Sequence, residues 1–197
     1  MAIATLRGVE EVTGVAESDE QLFVRSVRGD DSALRVLMER YGNSLTLFLN
    51  GYVHDLDTAE DIMIEAFSIM ITRHPLLREG GFKAYLYKTG RNIALRHRRN
   101  RMHILSLEEL QLDVESGEQV EEGMLNGEDQ LALYRALALI PAPYREALYL
   151  VYLEDMSYDE AGAVMRKTRK QVDNLVQRGK RAARALLEKE GLRLEFN

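Results

Sequence analysis

Cysteine is absent from the 197-residue sequence. Disulfide-stapled folds, thiolate zinc sites and cysteine nucleophiles are therefore excluded, and a reducing compartment is permitted. Proline and glycine are scarce, with three and fourteen residues, which favours a globular, helix-rich chain over a disordered one. Prolines and charged side chains interrupt the most apolar stretch, residues 131–153, so neither a signal peptide nor a membrane-spanning helix is predicted. We expect one ordinary domain or two small ones in the cytoplasm, without membrane insertion.

The charges are segregated along the chain. The net charge of −6 by itself argues against non-specific coating of nucleic acid. However, residues 83–101 carry seven cations and no acid, residues 108–129 carry nine acids and no Lys or Arg, and residues 166–184 carry eight cations and one acid. A single charged run is commonly a solvated face. Two separate basic runs around an acidic spacer are less easily explained as solvated faces alone.

Apolar periodicity predicts four helices in the first half. A capping box at Ser18 begins the first helix, and one apolar stripe extends over residues 32–54. Asp57, followed by Glu60, predicts the cap of the next helix, which a His-Pro pair at residues 74–75 ends. A fourth helix is predicted over 82–101. We therefore expect a mobile tail over 1–17 and a four-helix bundle over 18–103.

Residues 104–128 contain glycines, most of the acidic run and no sustained period, and they predict a linker. The second half, 129–190, has a helix from about Tyr144, a capping box at Ser157, a polar break at 166–168 and a long cationic last helix. This order is typical of a helix-turn-helix. Since no strand-length alternation occurs, the predicted class is all-α, with two small helical domains.

The last predicted helix offers side chains that can contact DNA bases and phosphates. Val172, Leu175 and Val176 share one apolar face, which leaves the polar positions outside. The candidate upstream-element DNA-binding residues are Arg169, Lys170, Gln171, Asp173, Asn174, Gln177, Arg178 and Arg181. Asn and Gln pair with adenine, Arg with guanine or phosphate, and Asp with cytosine. The alternative is an ordinary amphipathic terminal helix.

The predicted helix over 82–101 interleaves Phe82, Tyr85 and Tyr87 with cations. Aromatic faces stack on unpaired bases while Lys and Arg contact phosphates, so this pattern is typical of single-strand binding. The alternative is that the apolar residues belong to the core. We expect this mostly for Phe82 and Leu86, and both uses can coexist.

Neither metal binding nor an enzyme class is predicted. Acids cluster around the helix start near Asp57, but the dipole at a helix N-terminus favours acids there in any case. The four histidines form no metal-binding pair, and no phosphate-binding loop, nucleophile elbow or acid/base dyad occurs. We expect no cofactor and no metal.

These segments together resemble a known family. Residues 58–67 (T-A-E-D-I-x-x-E-x-F) resemble the region-two signature of bacterial RNA polymerase sigma factors, and 82–94 (F-K-A-Y-L-Y-x-x-x-R-N-x-A) look like its promoter-melting helix. Residues 139–148 (L-x-P-x-x-Y-R-E-x-L), followed by 157–161 (S-Y-D-E-A), are similar to region four. With these two regions joined by a short linker, the chain resembles the extracytoplasmic-function (group 4) sigma factors.

The resemblance implies a division of roles. Glu60, Asp61, Glu65 and Phe67 would bind the clamp of the largest polymerase subunit. The loop 74–81 and the following helix would hold the melted promoter strand, through Phe82, Tyr85, Lys88, Arg91 and Asn92. The last helix would read the upstream element, and the acidic linker would occupy the basic nucleic-acid channel of the polymerase. An anti-sigma factor is a further expected partner. The protein would leave the polymerase after initiation and perform no covalent chemistry.

Four positions depart from the common family pattern. Ile64 replaces a usual Gln, Arg96 a frequent Asp, Arg166 a common Gly of the turn, and Asp173 a frequent basic residue.

Two alternative functions remain open at this point. A helix-turn-helix regulator would bind duplex operators without polymerase. A helical protein-interaction adaptor would have little salt-dependent affinity for promoter DNA.

Overall fold

The computed structural model describes residues 17–105, 137 and 139–190. An N-terminal group of helices comprises α1 Asp19–Val27, α2 Asp31–Val53, α3 Leu56–Arg73 and α4 Phe82–Leu105. A C-terminal group comprises α5 Ala142–Leu148, a π-helical turn Tyr149–Leu153, α6 Tyr158–Met165 and α7 Arg169–Glu190. The described ranges contain no strand, as the all-α prediction requires. The predicted tail, except for Glu17, and the predicted linker beyond Leu105 lie outside the described residues.

Two predicted capping boxes begin α1 and α6. The Ser18 hydroxyl accepts a bond from the Gln21 N–H at 3.3 Å, and the Gln21 side chain accepts one from the Ser18 N–H at 3.0 Å. Ser157 and Glu160 exchange the same two bonds. Each box satisfies backbone donors that the helix itself leaves unpaired, so both starts follow from local sequence.

The predicted cap at Asp57 and Glu60 is wrong. The N-cap of α3 is Asp55, so the helix begins at Leu56 and Asp57 lies in its first turn. The Asp55 carboxylate accepts a bond from the Thr58 hydroxyl and makes no capping bond to a backbone N–H. An acid in the first turn still interacts favourably with the helix dipole, which explains why the acidic pattern was misassigned by two residues.

The ends of α3 and α4 differ in how well the sequence predicted them. α3 ends at Arg73, and His74 adopts the left-handed conformation with φ of 44°, directly before Pro75 as predicted. α4 continues to Leu105, past the predicted end at Arg101 and into the segment predicted as linker. The domain boundary at 103 stays a prediction.

The core of the N-terminal group lies where α2 and α4 meet. Leu45 and Leu49 of α2 and Leu86 of α4 are fully buried. A Cβ atom on Gly90 would lie 3.2 Å from the Leu49 side chain, so a glycine there allows the two helices to approach closely. Burial of each leucine contributes about 1.5–3 kcal/mol of transfer free energy.

The C-terminal group forms the predicted helix-turn-helix. Val172 and Val176 of α7 are fully buried, and they pack on the same core as Val164 of α6. A Cβ atom on Gly162 would lie 2.6 Å from the carbonyl oxygen of Lys167, so the turn between α6 and α7 requires glycine at this position. The sequence pattern therefore placed the inward face of α7 correctly.

The two groups of helices share one hydrophobic core. The Tyr149 ring, in the π-helical turn, lies 5.5 Å from the Phe48 ring of α2. Its hydroxyl donates a bond of 2.8 Å to the carbonyl oxygen of Ser44. Arg145 of α5 donates a bond of 2.8 Å to the carbonyl oxygen of Gly51. The C-terminal group is consequently docked on α2, and its helix α6 also packs on α4.

Candidate functional site

An acidic face lies on α3. Glu60, Asp61 and Glu65 are exposed, and Ile64 between them is 53% exposed, because the opposite side of the helix faces the core. Glu65 forms an ion pair of 2.9 Å with Arg96 of α4. Exposed carboxylates around an apolar side chain suit a basic protein surface.

Phe67, predicted at the same face, is only 3% exposed. Its ring belongs to the core, so it supports α3 from inside and does not contact a partner directly in this structure.

Phe82 at the start of α4 is also a core residue. It is 1% exposed, and its ring lies 5.6 Å from the Phe23 ring and 5.7 Å from the Tyr41 ring. Its N–H donates a bond of 3.0 Å to the Glu20 carboxylate. The ring is enclosed by other aromatic residues, as expected for a residue that is mostly core, and a contact of Phe82 with the melted strand stays a prediction.

Arg91 forms a buried ion pair with the C-terminal group. Its Nε and Nη2 atoms donate to the two carboxylate oxygens of Glu146 at 2.6 and 3.4 Å. The side chains are 13% and 10% exposed. Burial alone would lower the pKa of Arg91, but the hydrogen bonds and charge of Glu146 outweigh burial and raise that pKa above its ordinary value.

Lys83, which lies about two helical turns before Arg91 on α4, makes a second ion pair with the C-terminal group. Its Nζ atom lies 3.0 Å from a carboxylate oxygen of Glu154 and donates a bond of 2.5 Å to the Glu154 carbonyl. Glu154 is almost fully buried, and burial raises the pKa of its carboxyl group although Lys83 opposes the shift.

The other predicted strand-binding residues lie beside these ion pairs. Tyr85, Lys88 and Asn92 are half-buried. The Asn92 side chain accepts a bond of 3.2 Å from Arg166, the left-handed residue of the helix-turn-helix turn. The face of α4 that carries these residues is thus partly covered by the C-terminal group.

The loop between α3 and α4 presents Leu76, which is fully exposed. The loop closes through a 2.8 Å bond from the Gly81 N–H to the Arg78 carbonyl, with Gly80 at φ of 72°. An apolar side chain in full contact with water next to a basic helix suits contact with a nucleic-acid base.

The polar face of α7 is directed to solvent. Its exposed residues are Arg169, Lys170, Gln171, Asn174, Gln177, Arg178 and Arg181, and Asp173 is half-buried. Arg169 forms an exposed ion pair of 2.8 Å with Asp159 of α6. Gln171 also forms a capping box with Thr168 at the start of α7, a start signal that the sequence reasoning missed. The predicted duplex-reading residues are therefore together on one accessible face.

Among the described residues, no group of His, Asp and Glu side chains is placed so that it could hold a metal ion. In the same part of the chain, every helix is too short or too polar to cross a bilayer.

Two protein-family models match this chain. The model described as Sigma-70 region 2 matches residues 37–104, and the model described as Sigma-70, region 4 matches residues 130–182. Together they span more than half of the 197 residues. The chain belongs to the sigma-70 family.

Individual sigma factors are similar to this one. The RNA polymerase sigma-H factor of Pseudomonas aeruginosa is 28% identical over 163 residues, which cover 76% of this chain and 83% of that protein. Two solved structures share the fold at 20% identity. CnrH, in complex with the cytosolic domain of CnrY, has a TM-score of 0.61 and covers 88% of this chain and 99% of that one. RpoE, in complex with the anti-sigma factor NepR from Bartonella quintana, has a TM-score of 0.62 and covers 79% and 96%.

These findings define the function at the level of the family. The protein is a sigma factor, which directs core RNA polymerase to promoters. They do not favour the duplex-binding regulator or the adaptor.

The sequence reasoning missed three residues of the sigma factor's internal contact. Lys83 was recognised only as one cation of a basic run, and Glu146 and Glu154 received no role. The sequence separation is 55 residues for Arg91 and Glu146 and 71 for Lys83 and Glu154. No local pattern pairs residues at such separations.

Proposed function

We propose that this sigma factor uses three separate helical surfaces and its acidic linker for four contacts. The exposed acids of α3, with Ile64, bind the clamp of the largest polymerase subunit. Tyr85, Lys88, Arg91 and Asn92 hold the melted promoter strand. The solvent-directed face of α7 reads the duplex upstream element, and the acidic linker occupies the polymerase channel.

The observation that carries this proposal is the exposure of complementary charge on different helices. The acids of α3 and the cations of α7 lie on surfaces that point to solvent, on opposite groups of helices. Acids in the first turns of α3 suit a basic protein surface, whereas the amides and guanidinium groups of α7 suit base edges and phosphates. Phe67 and Phe82 support these surfaces from the core.

The test is complex formation with bacterial core RNA polymerase. The wild type is expected to co-elute in a one-to-one complex on size exclusion, and the double variant Glu60→Arg, Asp61→Arg to elute alone. A matched control, Asp31→Arg with Glu39→Arg, makes the same charge change at exposed positions of α2 and is expected to co-elute. Equal binding of all three proteins would contradict the assignment of α3.

We further propose that a protein partner masks the free chain, in the way that NepR forms a complex with RpoE. Such an anti-sigma factor and core polymerase would compete for the sigma factor. The expected result is that affinity capture of the tagged chain from its host yields a partner that excess core polymerase displaces. We also place the protein in the cytoplasm, where its polymerase acts, and assign it no covalent chemistry and no cofactor.

A further inference from the structure

The first helix, α1, has no part in the contacts proposed above, yet two consecutive acids on it reach two different helices. Asp19 forms an ion pair of 2.7 Å with Arg40 of α2. Glu20 reaches α4 instead, where its carboxylate accepts a bond of 3.0 Å from the Phe82 N–H. One acid therefore joins α1 to α2, and the other joins α1 to the start of α4.

The bond from Phe82 is a helix cap that another helix supplies. The first N–H groups of a helix have no partner within it, and the Phe82 N–H is one of these at the start of α4. The helix dipole also favours a carboxylate at this end. The first turn of α4 contains no acid, and the sequence has none over residues 83–101. Glu20 therefore supplies the negative charge that this helix start lacks, and α4 needs no acid of its own beside its cations.

The same junction is where the loop 74–81 meets α4. The Gly81 N–H donates a bond of 2.8 Å to the Arg78 carbonyl, and the Phe82 ring that follows packs against aromatic residues of α1 and α2. The rest of the loop is mostly exposed, and Leu76 is fully exposed. Because the loop buries little surface of its own, its geometry depends on how its two ends are held.

We propose that Glu20 is a positioning residue for promoter melting. Its bond to the Phe82 N–H fixes the junction from which the loop 74–81 and the first turns of α4 reach the melted strand. The inference rests on the proposed role of this loop and helix in strand binding. Glu20 acts through the backbone that it holds, so the polymerase contact of α3 and the duplex contact of α7 do not depend on it.

The test compares three variants of the full chain. Glu20→Ala removes the acceptor, whereas Glu20→Gln keeps a side-chain oxygen that can accept the same bond. Asp19→Ala is the matched control, because it removes the neighbouring acid and its ion pair with Arg40 but leaves the bond to Phe82 in place. Urea unfolding measures how much stability each variant loses.

Promoter opening is measured with each variant bound to core RNA polymerase. The promoter is the fragment of host genomic DNA on which the wild-type complex initiates most strongly in vitro, with 2-aminopurine placed in its melted segment. Fluorescence of that base reports opening, and amide hydrogen exchange of the free chain reports protection of residues 82–86. Co-elution with core polymerase and binding of the upstream duplex report on α3 and α7.

In Glu20→Ala we expect the equilibrium for opening to fall about three- to tenfold, as loss of one helix cap would produce, with faster exchange at the start of α4. Glu20→Gln should restore opening to within about twofold of the wild type, since its amide oxygen still accepts the bond. Asp19→Ala should also stay within about twofold of the wild type, even if it loses as much stability as Glu20→Ala. Polymerase and duplex binding should be unchanged in all three.

Three results would overturn the inference. Wild-type opening in Glu20→Ala would show that the cap does not position the strand-binding elements. Equal losses of opening in Glu20→Ala and Asp19→Ala would show that opening follows the stability of the bundle. A defect that Glu20→Gln does not restore would show that the hydrogen bond is not its cause.

A further variant separates these results from failure of the proposed function. If joint replacement Tyr85→Ala with Lys88→Ala leaves opening unchanged, the strand-binding assignment of α4 is wrong. If that double variant opens the promoter poorly while Glu20→Ala opens it normally, the assignment stands and only the positioning role is wrong. The polymerase co-elution test of the α3 acids is independent of both.

Discussion

α4 and α7 carry similar densities of positive charge but differ in where part of it lies. Most described cations of α7 extend into solvent from a helix whose apolar face is buried in its own group. The cations of α4 between Arg96 and Arg101 are exposed as well. On α4, Lys83 and Arg91 are covered by acids from the other group, and Arg91 is only 13% exposed. Exposed charges are weakly coupled to stability, whereas buried charges are strongly coupled to it. The same side-chain chemistry therefore stays accessible on α7, whereas on α4 part of it joins the two groups of helices.

Truncation of Phe48, whose ring packs between the two groups of helices, is expected to cause the largest loss of stability. The Phe48 ring contacts the rings of Tyr52, Tyr87 and Tyr149, and Phe48 is almost fully buried. Phe48→Ala should lower the free energy of unfolding by about 3–5 kcal/mol, since the cavity removes contacts in both groups. Urea unfolding measures this change. The control Leu76→Ala, at a fully exposed position, should change it by less than about 0.5 kcal/mol. Similar losses in the two variants would contradict the shared core.

The effect of burial on an arginine can be measured by making the same Arg→Met substitution once on α4 and once on α7. Arg91→Met leaves the Glu146 carboxylate buried without its partner and should lower the free energy of unfolding by about 3 kcal/mol. Arg178→Met, at an exposed site of α7, should change it by less than about 0.5 kcal/mol. Thermal unfolding of both variants at low ionic strength provides the measurement. Equal stabilities would remove the distinction between the covered and the open face.

The orientation of α7 can be disturbed at the turn that precedes it, away from the ion pair between Arg91 and Glu146. Gly162→Ala places a methyl group against the Lys167 carbonyl and should lower the free energy of unfolding by about 1–3 kcal/mol. Duplex binding should weaken while single-strand binding does not. The control Gly42→Ala meets only the Met63 side chain at 3.9 Å, and it should stabilise α2 by about 0.5–1 kcal/mol. Anisotropy titrations with both DNA probes test the difference, and parallel loss of both activities would contradict it.

The smallest expected effect is on the pH dependence of stability, and it concerns Glu154, the partner of Lys83. The pKa of Glu154 is raised in the folded protein, so the folded state binds its proton more tightly than the unfolded state does. The stability from this group is present below the unfolded pKa and is lost as the pH rises through the folded pKa. The wild type should therefore lose stability relative to Glu154→Gln over this range, as measured by melting temperature against pH. If the difference in melting temperature between the wild type and Glu154→Gln is constant with pH, burial does not destabilise the charged form of Glu154.

Much of the fold followed from local sequence. The capping boxes at Ser18 and Ser157 and the end of α3 before Pro75 are determined by residues within a few positions of each other. The start of α3 was misplaced, because acids near a helix start favour both the N-cap and the first turn. The apolar spacing of α7 correctly identified its buried residues, since period alone determines which side chains share a face.

The candidate surfaces were predictable only in part. The spacing of α3 and α7 placed Glu60, Asp61 and Arg178 among exposed residues, as expected for polar positions opposite an apolar stripe. Phe67 and Phe82 belonged to motifs that include both contact and core residues, and burial is what separates the two. From the sequence, Phe82 was expected to be mostly core and also a candidate for strand binding, because aromatic residues between cations occur in both settings.

The sequence by itself determined the helical class, the order of the regions, the capping signals and the charges available on each helix. These are properties of neighbouring residues, and their free energies depend on separations of three or four positions. Only the tertiary structure decided that Arg91 faces Glu146 and that Tyr149 packs on Phe48, since such contacts depend on how separate helices dock. Docking depends on shape and desolvation over a whole surface, and it determines that Lys83 and Arg91 of α4 are covered while most described cations of α7 stay exposed.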